Sequence, residues 1–139
     1  MIIKILESLK DEYSVGDVVF LEDHAFEREK WRGLITSNHR FVVVDDSFKD
    51  YGYYIVSPLS SKKQKVSSRF PNNVRINNYQ KIKTLYKPTH TESDTFGKVF
   101  ETDIKEYLGT LDNSDLRKLL RIYKTSPQRQ KLESYFKHR

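Results

Sequence analysis

Two adjacent hydroxyls, Ser60 and Ser61, stand immediately before a basic run that contains Lys62, Lys63 and Lys65. Hydroxyls donate to phosphate oxygens and ammonium groups neutralise them, so this spacing suits a phosphate-bearing ligand. The familiar enzyme signatures are absent: there is no G-x-x-x-x-G-K-[ST] loop, no G-x-S-x-G elbow and no H-E-x-x-H pair. His24, His39, His90 and His138 follow no ligand spacing and there is no cysteine, so neither a metal site nor a cofactor is expected. Any reaction falls to Arg, Ser, Lys, His and carboxylate side chains.

The element that delivers the two hydroxyls is a strand. Tyr53, Tyr54, Ile55 and Val56 are β-branched or aromatic and fit a pleated, half-buried surface. Pro58 lacks a backbone donor, which predicts that the strand ends there or runs at a sheet edge. A further extended run, residues 74–76, follows Pro71, Asn72 and Asn73. Earlier strands are predicted at 17–21, 33–37 and 41–44, with a turn at Asn38 and His39.

Helices flank these strands. Ile2, Ile5, Leu6, Leu9 and Tyr13 lie at helical spacing, predicting an amphipathic helix over 2–13. Beyond 76, Ile82, Leu85 and Tyr86 are compatible with a strand, 87–98 reads as a polar loop, and Val99 and Phe100 resume a strand. A short helix is predicted over 103–108, capped by Thr102 or Asp103 and closed by Gly109. Asp112 caps the next helix, which carries Leu116, Leu119, Leu120 and Tyr123 on one stripe, until Ser126 and Pro127 stop it. The basic tail, 125–139, pairs Leu132 with Phe136. Strands in the middle with helices appended at the ends argue for an α+β fold.

At 139 residues a single domain spanning 1–139 is expected, large enough to bury a core without staples. A net charge of +6 and a pI near 9.4 favour a polyanionic partner. No apolar run approaches the roughly 20 residues that span a bilayer. The N-terminal apolar stretch is broken by Lys4 and Glu7 and does not read as a signal peptide, so no membrane partner and a cytoplasmic location are expected.

The sequence SPLSSKK followed by RFPNNVRI resembles the MazF/PemK family of toxin ribonucleases. There an apolar strand leads into P-[IL]-T-S, a basic linker and L-P-[TN]-x-V-x-[IL], in that order and at similar separation. The Gly16-Asp17-Val18 step and the leucine stripe of the late helix are similar to the family as well. The P-L-S-S-x-K element is also similar to the ToxN group of type III toxins, which shares the fold. The resemblance implies a small, strongly bent antiparallel sheet of the SH3-like barrel type. The N-terminal helix is an addition to that pattern.

Carried over residue by residue, the family arginine that opens the second strand falls on Arg32, and the hydroxyl of P-[IL]-T-S falls on Ser60. These two are the implied catalytic residues. Ser61 and Lys62 are the implied backbone contacts, His24 sits in the loop that family members drape over the substrate, and Trp31 is a substrate contact able to stack a base or, equally, a plug of the core beside Arg32. The implied activity is metal-independent cleavage of single-stranded RNA, in a homodimer held by a cognate antitoxin that is protein rather than RNA. Gly33 stands where the family has proline, serine replaces threonine at 60, and the loop before Arg32 lacks the usual glycines. Those departures keep two other functions in view: a non-catalytic SH3-like binding module, and a toxin acting on a protein target as the CcdB fold does on gyrase.

Overall fold

Three near-continuous apolar runs form the centre of the molecule, because their strands are buried on both faces. In a computed structural model, residues 12–21, 40–60, 74–85, 87–91 and 96–125 are described. The strands are β1 (Asp17–Leu21), β2 (Arg40–Asp45), β3 (Tyr53–Ser60), β4 (His90–Thr91), β5 (Gly97–Phe100) and β6 (Ile104–Thr110), followed by the helix α1 (Asn113–Thr125). The sheet runs β4-β3-β2-β1-β6, with β5 also on β3, and every pairing is antiparallel. Among the described residues it does not close on itself. The α+β architecture is thus the one expected, as an open bent sheet.

Side chains alternate across the sheet and feed two cores. Val18, Val42, Ile55 and Leu59 point to one face, where Leu119 and Tyr123 of α1 pack with Val74 and Ile76. Val19, Leu21, Phe41, Val43, Tyr54 and Val56 point to the other, joined by Tyr13. Full burial of a side chain such as Leu119, at 0% exposure, contributes about 2–3 kcal/mol. The helix stripe read from the sequence is the stripe that packs: Leu116 and Leu120 flank Leu119 and Tyr123 against the core.

Polar anchors fix the helix to the sheet. Asp115, fully buried in the first turn of α1, accepts from the backbone N–H of Asn77 and from its Nδ2, each at 2.8 Å. The Tyr123 hydroxyl donates to Asp45 Oδ2 at 2.9 Å.

Four local expectations are corrected. In place of the helix expected over 103–108 the chain forms the strand β6 (Ile104–Thr110), preceded by a 3-10 turn at Glu101–Asp103. Its register against β1 skips Leu108 and Lys105 at two bulges, so Ile104 and Tyr107 reach one core and Leu108 the other. Bulges break the period of two and imitate helical spacing. Gly109 closes no helix; a Cβ there would lie 3.3 Å from Ile82 Cα, so its absence admits the close approach of that backbone.

The region around Ile82 and Leu85 is a 3-10 turn (Tyr79–Lys81) and irregular chain instead of a strand, with both side chains buried. The polar stretch after Lys87 contains the strand β4. Finally, β3 continues through Pro58 to Ser60. Pro58 pairs with Phe41 of β2; on its other flank β5 ends opposite Val56 and β4 begins opposite Leu59. Among the described residues no strand neighbour faces Pro58 on that flank, so no described ladder partner lacks its donor there. The predicted helix over 2–13 and strand over 33–37 lie outside the described residues, apart from Glu12 and Tyr13, which are not helical.

Candidate functional site

Ser60 is the last residue of β3, and the strand's burial on both faces is what fixes its position. Across from it in β4 stands His90, and His90 in turn stands opposite Arg75 in an isolated antiparallel bridge. Residues directly opposite each other project to the same face of a sheet. A hydroxyl, an imidazole and a guanidinium therefore form one row across three adjacent chain segments.

The adjoining row confirms the register. Leu59 pairs with Thr91, whose N–H donates to the Val74 carbonyl at 2.8 Å, while Val74 N–H donates to Thr91 Oγ1 at 3.0 Å. Leu59 and Val74 both lie in the larger core. Successive residues alternate, so Ser60, His90 and Arg75 face the other way.

Burial grades along this row. His90 is 2% and Ser60 is 8% exposed, whereas Arg75 is exposed. A shielded hydroxyl beside a buried imidazole is largely desolvated, which strengthens any hydrogen bond it donates to an anion.

Of the residues that the sequence singles out, Ser60 is the last residue of β3, two residues beyond the Pro58 at which the strand was expected to end. Arg32, Ser61, Lys62, His24 and Trp31 lie outside the described residues. Sequence reasoning passed over His90 and Arg75. Signals for both exist: Thr89 and Thr91 flank His90 as in a strand, and Val74 and Ile76 flank Arg75 with apolar neighbours.

A small, bent antiparallel sheet with a C-terminal helix packed on one face defines the class of fold. No family model matches the sequence, and no curated protein matches it. Among solved structures the chain is similar to an endoribonuclease in complex with its cognate antitoxin from Mycobacterial species. The TM-score is 0.56 at 10% identity, over 82% of this chain and 93% of that one. It is likewise similar to an endoribonuclease from Mycobacterial species, with a TM-score of 0.53 at 10% identity, over 85% of this chain and 98% of that one. At this identity the likeness shows a shared fold, which is the fold that the MazF/PemK resemblance implied.

Proposed function

We propose that the chain is a toxin endoribonuclease that cleaves single-stranded RNA and is held in check by a cognate antitoxin protein. The observation that carries the reading is the fold shared with two endoribonucleases over nearly their whole length, one of them in complex with its antitoxin. The basic charge of +6 fits an RNA substrate.

RNA supplies its own nucleophile. The enzyme needs only to orient the 2′-OH, stabilise the phosphorane and manage two protons. In this reading Arg32 donates its planar fork to the phosphate and Ser60 donates to a non-bridging oxygen. Ser61 and Lys62 hold the adjacent backbone, His24 handles a proton and Trp31 stacks a base. The 2′-oxygen attacks phosphorus, the 5′-oxygen leaves with a proton, and the products are a 2′,3′-cyclic phosphate and a 5′-hydroxyl. No metal or other cofactor enters this scheme, and the site of action is the cytoplasm.

The test is incubation of the purified chain with mixed-sequence RNA in EDTA, followed by mapping of the ends. No cleavage, or cleavage only after metal is added, contradicts the proposal. A homodimer belongs to the same reading, and a monomeric mass by light scattering at micromolar concentration contradicts that part. Nine tyrosines and eight phenylalanines are a heavy aromatic load for one small domain, yet among the described residues Tyr51 is the one large hydrophobic left exposed.

The burial of Ser60 favours a second reading, a non-catalytic RNA-binding module. Salt-dependent RNA binding without turnover identifies it.

A further inference from the structure

The guanidinium of Arg75 is the part of the Ser60 row that meets solvent. We propose that Arg75 is a phosphate-binding residue of the Ser60 site and grips the RNA backbone on the His90 side of that serine. The inference takes its substrate from the endoribonuclease reading, but its geometry is independent of it.

Three observations carry it. The first is register: Ser60 opposes His90 and His90 opposes Arg75, so all three project to one face. Each step across an antiparallel pair is about 5 Å between Cα atoms, which puts Arg75 about 10 Å from Ser60. A long arginine side chain and one phosphate fit that span.

The second is availability. Arg75 is exposed, and among the described residues no hydrogen bond or ion pair engages its guanidinium. Arg40, by contrast, commits its Nε to Thr84 Oγ1 at 2.7 Å. The third is rigidity. The backbone around Arg75 is clamped by Ile76 N–H to the Thr89 carbonyl at 2.9 Å and Thr91 N–H to the Val74 carbonyl at 2.8 Å. Val74 and Ile76 on either side are buried in the core. The cation is thus presented from a fixed base, and less freedom is lost when it binds.

Arginine is suited to this place. It holds its charge at any working pH and donates two parallel hydrogen bonds to a phosphate. His90, buried at the strand position between them, keeps Arg75 and Ser60 two strand spacings apart.

The experiment uses the full chain and a fluorescent single-stranded oligoribonucleotide carrying 2′-O-methyl groups throughout. It presents the phosphates but lacks the nucleophile. Binding is followed by anisotropy across a salt titration, and single-turnover cleavage of the unmodified RNA is measured in parallel. Arg75→Ala is expected to weaken binding about tenfold. It also lowers the slope of binding against salt by about one counterion. Arg75→Lys restores the slope but only part of the affinity. Arg117→Ala, an exposed arginine on α1, stays within about twofold of wild type in affinity.

Unchanged binding by Arg75→Ala overturns the inference. An equal loss in Arg117→Ala overturns it too, since that reports general charge, and so does a wild-type chain that fails to bind the oligonucleotide. If Arg75→Ala behaves as expected while wild type never cleaves RNA, the nuclease reading fails and the phosphate contact stands.

Discussion

Ser60 and His90 face each other directly across β3 and β4, and both are nearly removed from solvent. Opposed side chains in such a pair lie within about 5 Å at Cβ, close enough for an imidazole to set the rotamer of a serine hydroxyl. Serine lacks the methyl that fixes χ1 in threonine, so an external constraint on that rotamer has more to do here. His90 is on this account a positioning residue. His90→Gln, which keeps a side-chain donor, should cleave within about tenfold of wild type, and His90→Leu should lower kcat at nearly unchanged KM. Steady-state kinetics of both, with melting curves to verify folding, decide the matter. A loss in KM alone means that His90 acts on binding instead.

In the nuclease reading, variants of Arg32 and Lys62 should separate catalysis from tracking of the RNA backbone. A guanidinium that stabilises the pentacoordinate phosphate acts most strongly in the transition state, so Arg32→Ala should reduce turnover far more than RNA binding. Arg32→Lys should not rescue it, because an ammonium lacks the bidentate fork. Lys62→Ala should weaken binding and flatten its salt dependence by about one counterion, leaving single-turnover cleavage nearly intact. Cleavage by Arg32→Ala within about twofold of wild type moves the search to His24.

The clasp between Asp115 and Asn77 predicts a stability effect with no direct part in the chemistry. Asp115 is fully buried and satisfies both a backbone and a side-chain donor of Asn77, and it also lies at the positive end of α1. Asp115→Ala orphans those donors and should cost about 2–3 kcal/mol, or roughly 6–10 °C in Tm. Asn77→Ala should cost less. The double variant should fall short of the sum, since both remove one interaction. Urea denaturation of the four proteins closes the cycle, and strict additivity contradicts it.

Tyr54 predicts alkaline sensitivity. Burial pushes its phenol above the ordinary value of 10.0, although the Tyr13 backbone N–H that it accepts, at 3.1 Å, pulls the other way. The folded state therefore holds this proton more tightly than the unfolded chain. Its contribution to stability is complete below pH 10 and declines as pH rises toward the raised folded value. Tyr54→Phe leaves the Tyr13 N–H without this acceptor and should cost about 1 kcal/mol at neutral pH. It should also show a shallower fall in unfolding free energy above pH 10 than wild type does, by denaturant titration. Parallel falls in the two proteins contradict the assignment.

Strands buried on both faces announce themselves, which is why β1, β2 and β3 were legible from DVVFL, FVVV and YYIV. The leucine stripe of α1 was legible for the equivalent reason at helical period. What misled was geometry that rewrites the period. The two bulges of β6 gave Ile104, Tyr107 and Leu108 the spacing of a helix. The short β4 is recognisable only through its partners, since His90 and Thr91 sit in a polar stretch whose strand character comes from β3 and the bridge to Arg75. Ser60 was found through the motif around it. The residues beside it in space, His90 and Arg75, are 30 and 15 positions away in sequence and needed the register.

In the nuclease reading the hydroxyl at the end of β3 takes part in cutting RNA. Single-turnover cleavage of an unstructured RNA in EDTA, wild type against Ser60→Ala, tests it most directly. Wild type is expected to leave a 2′,3′-cyclic phosphate and a 5′-hydroxyl, and Ser60→Ala, folded and still binding RNA, to cleave about 100-fold more slowly. Cleavage by Ser60→Ala at the wild-type rate, or ends bearing a 5′-phosphate, contradicts it.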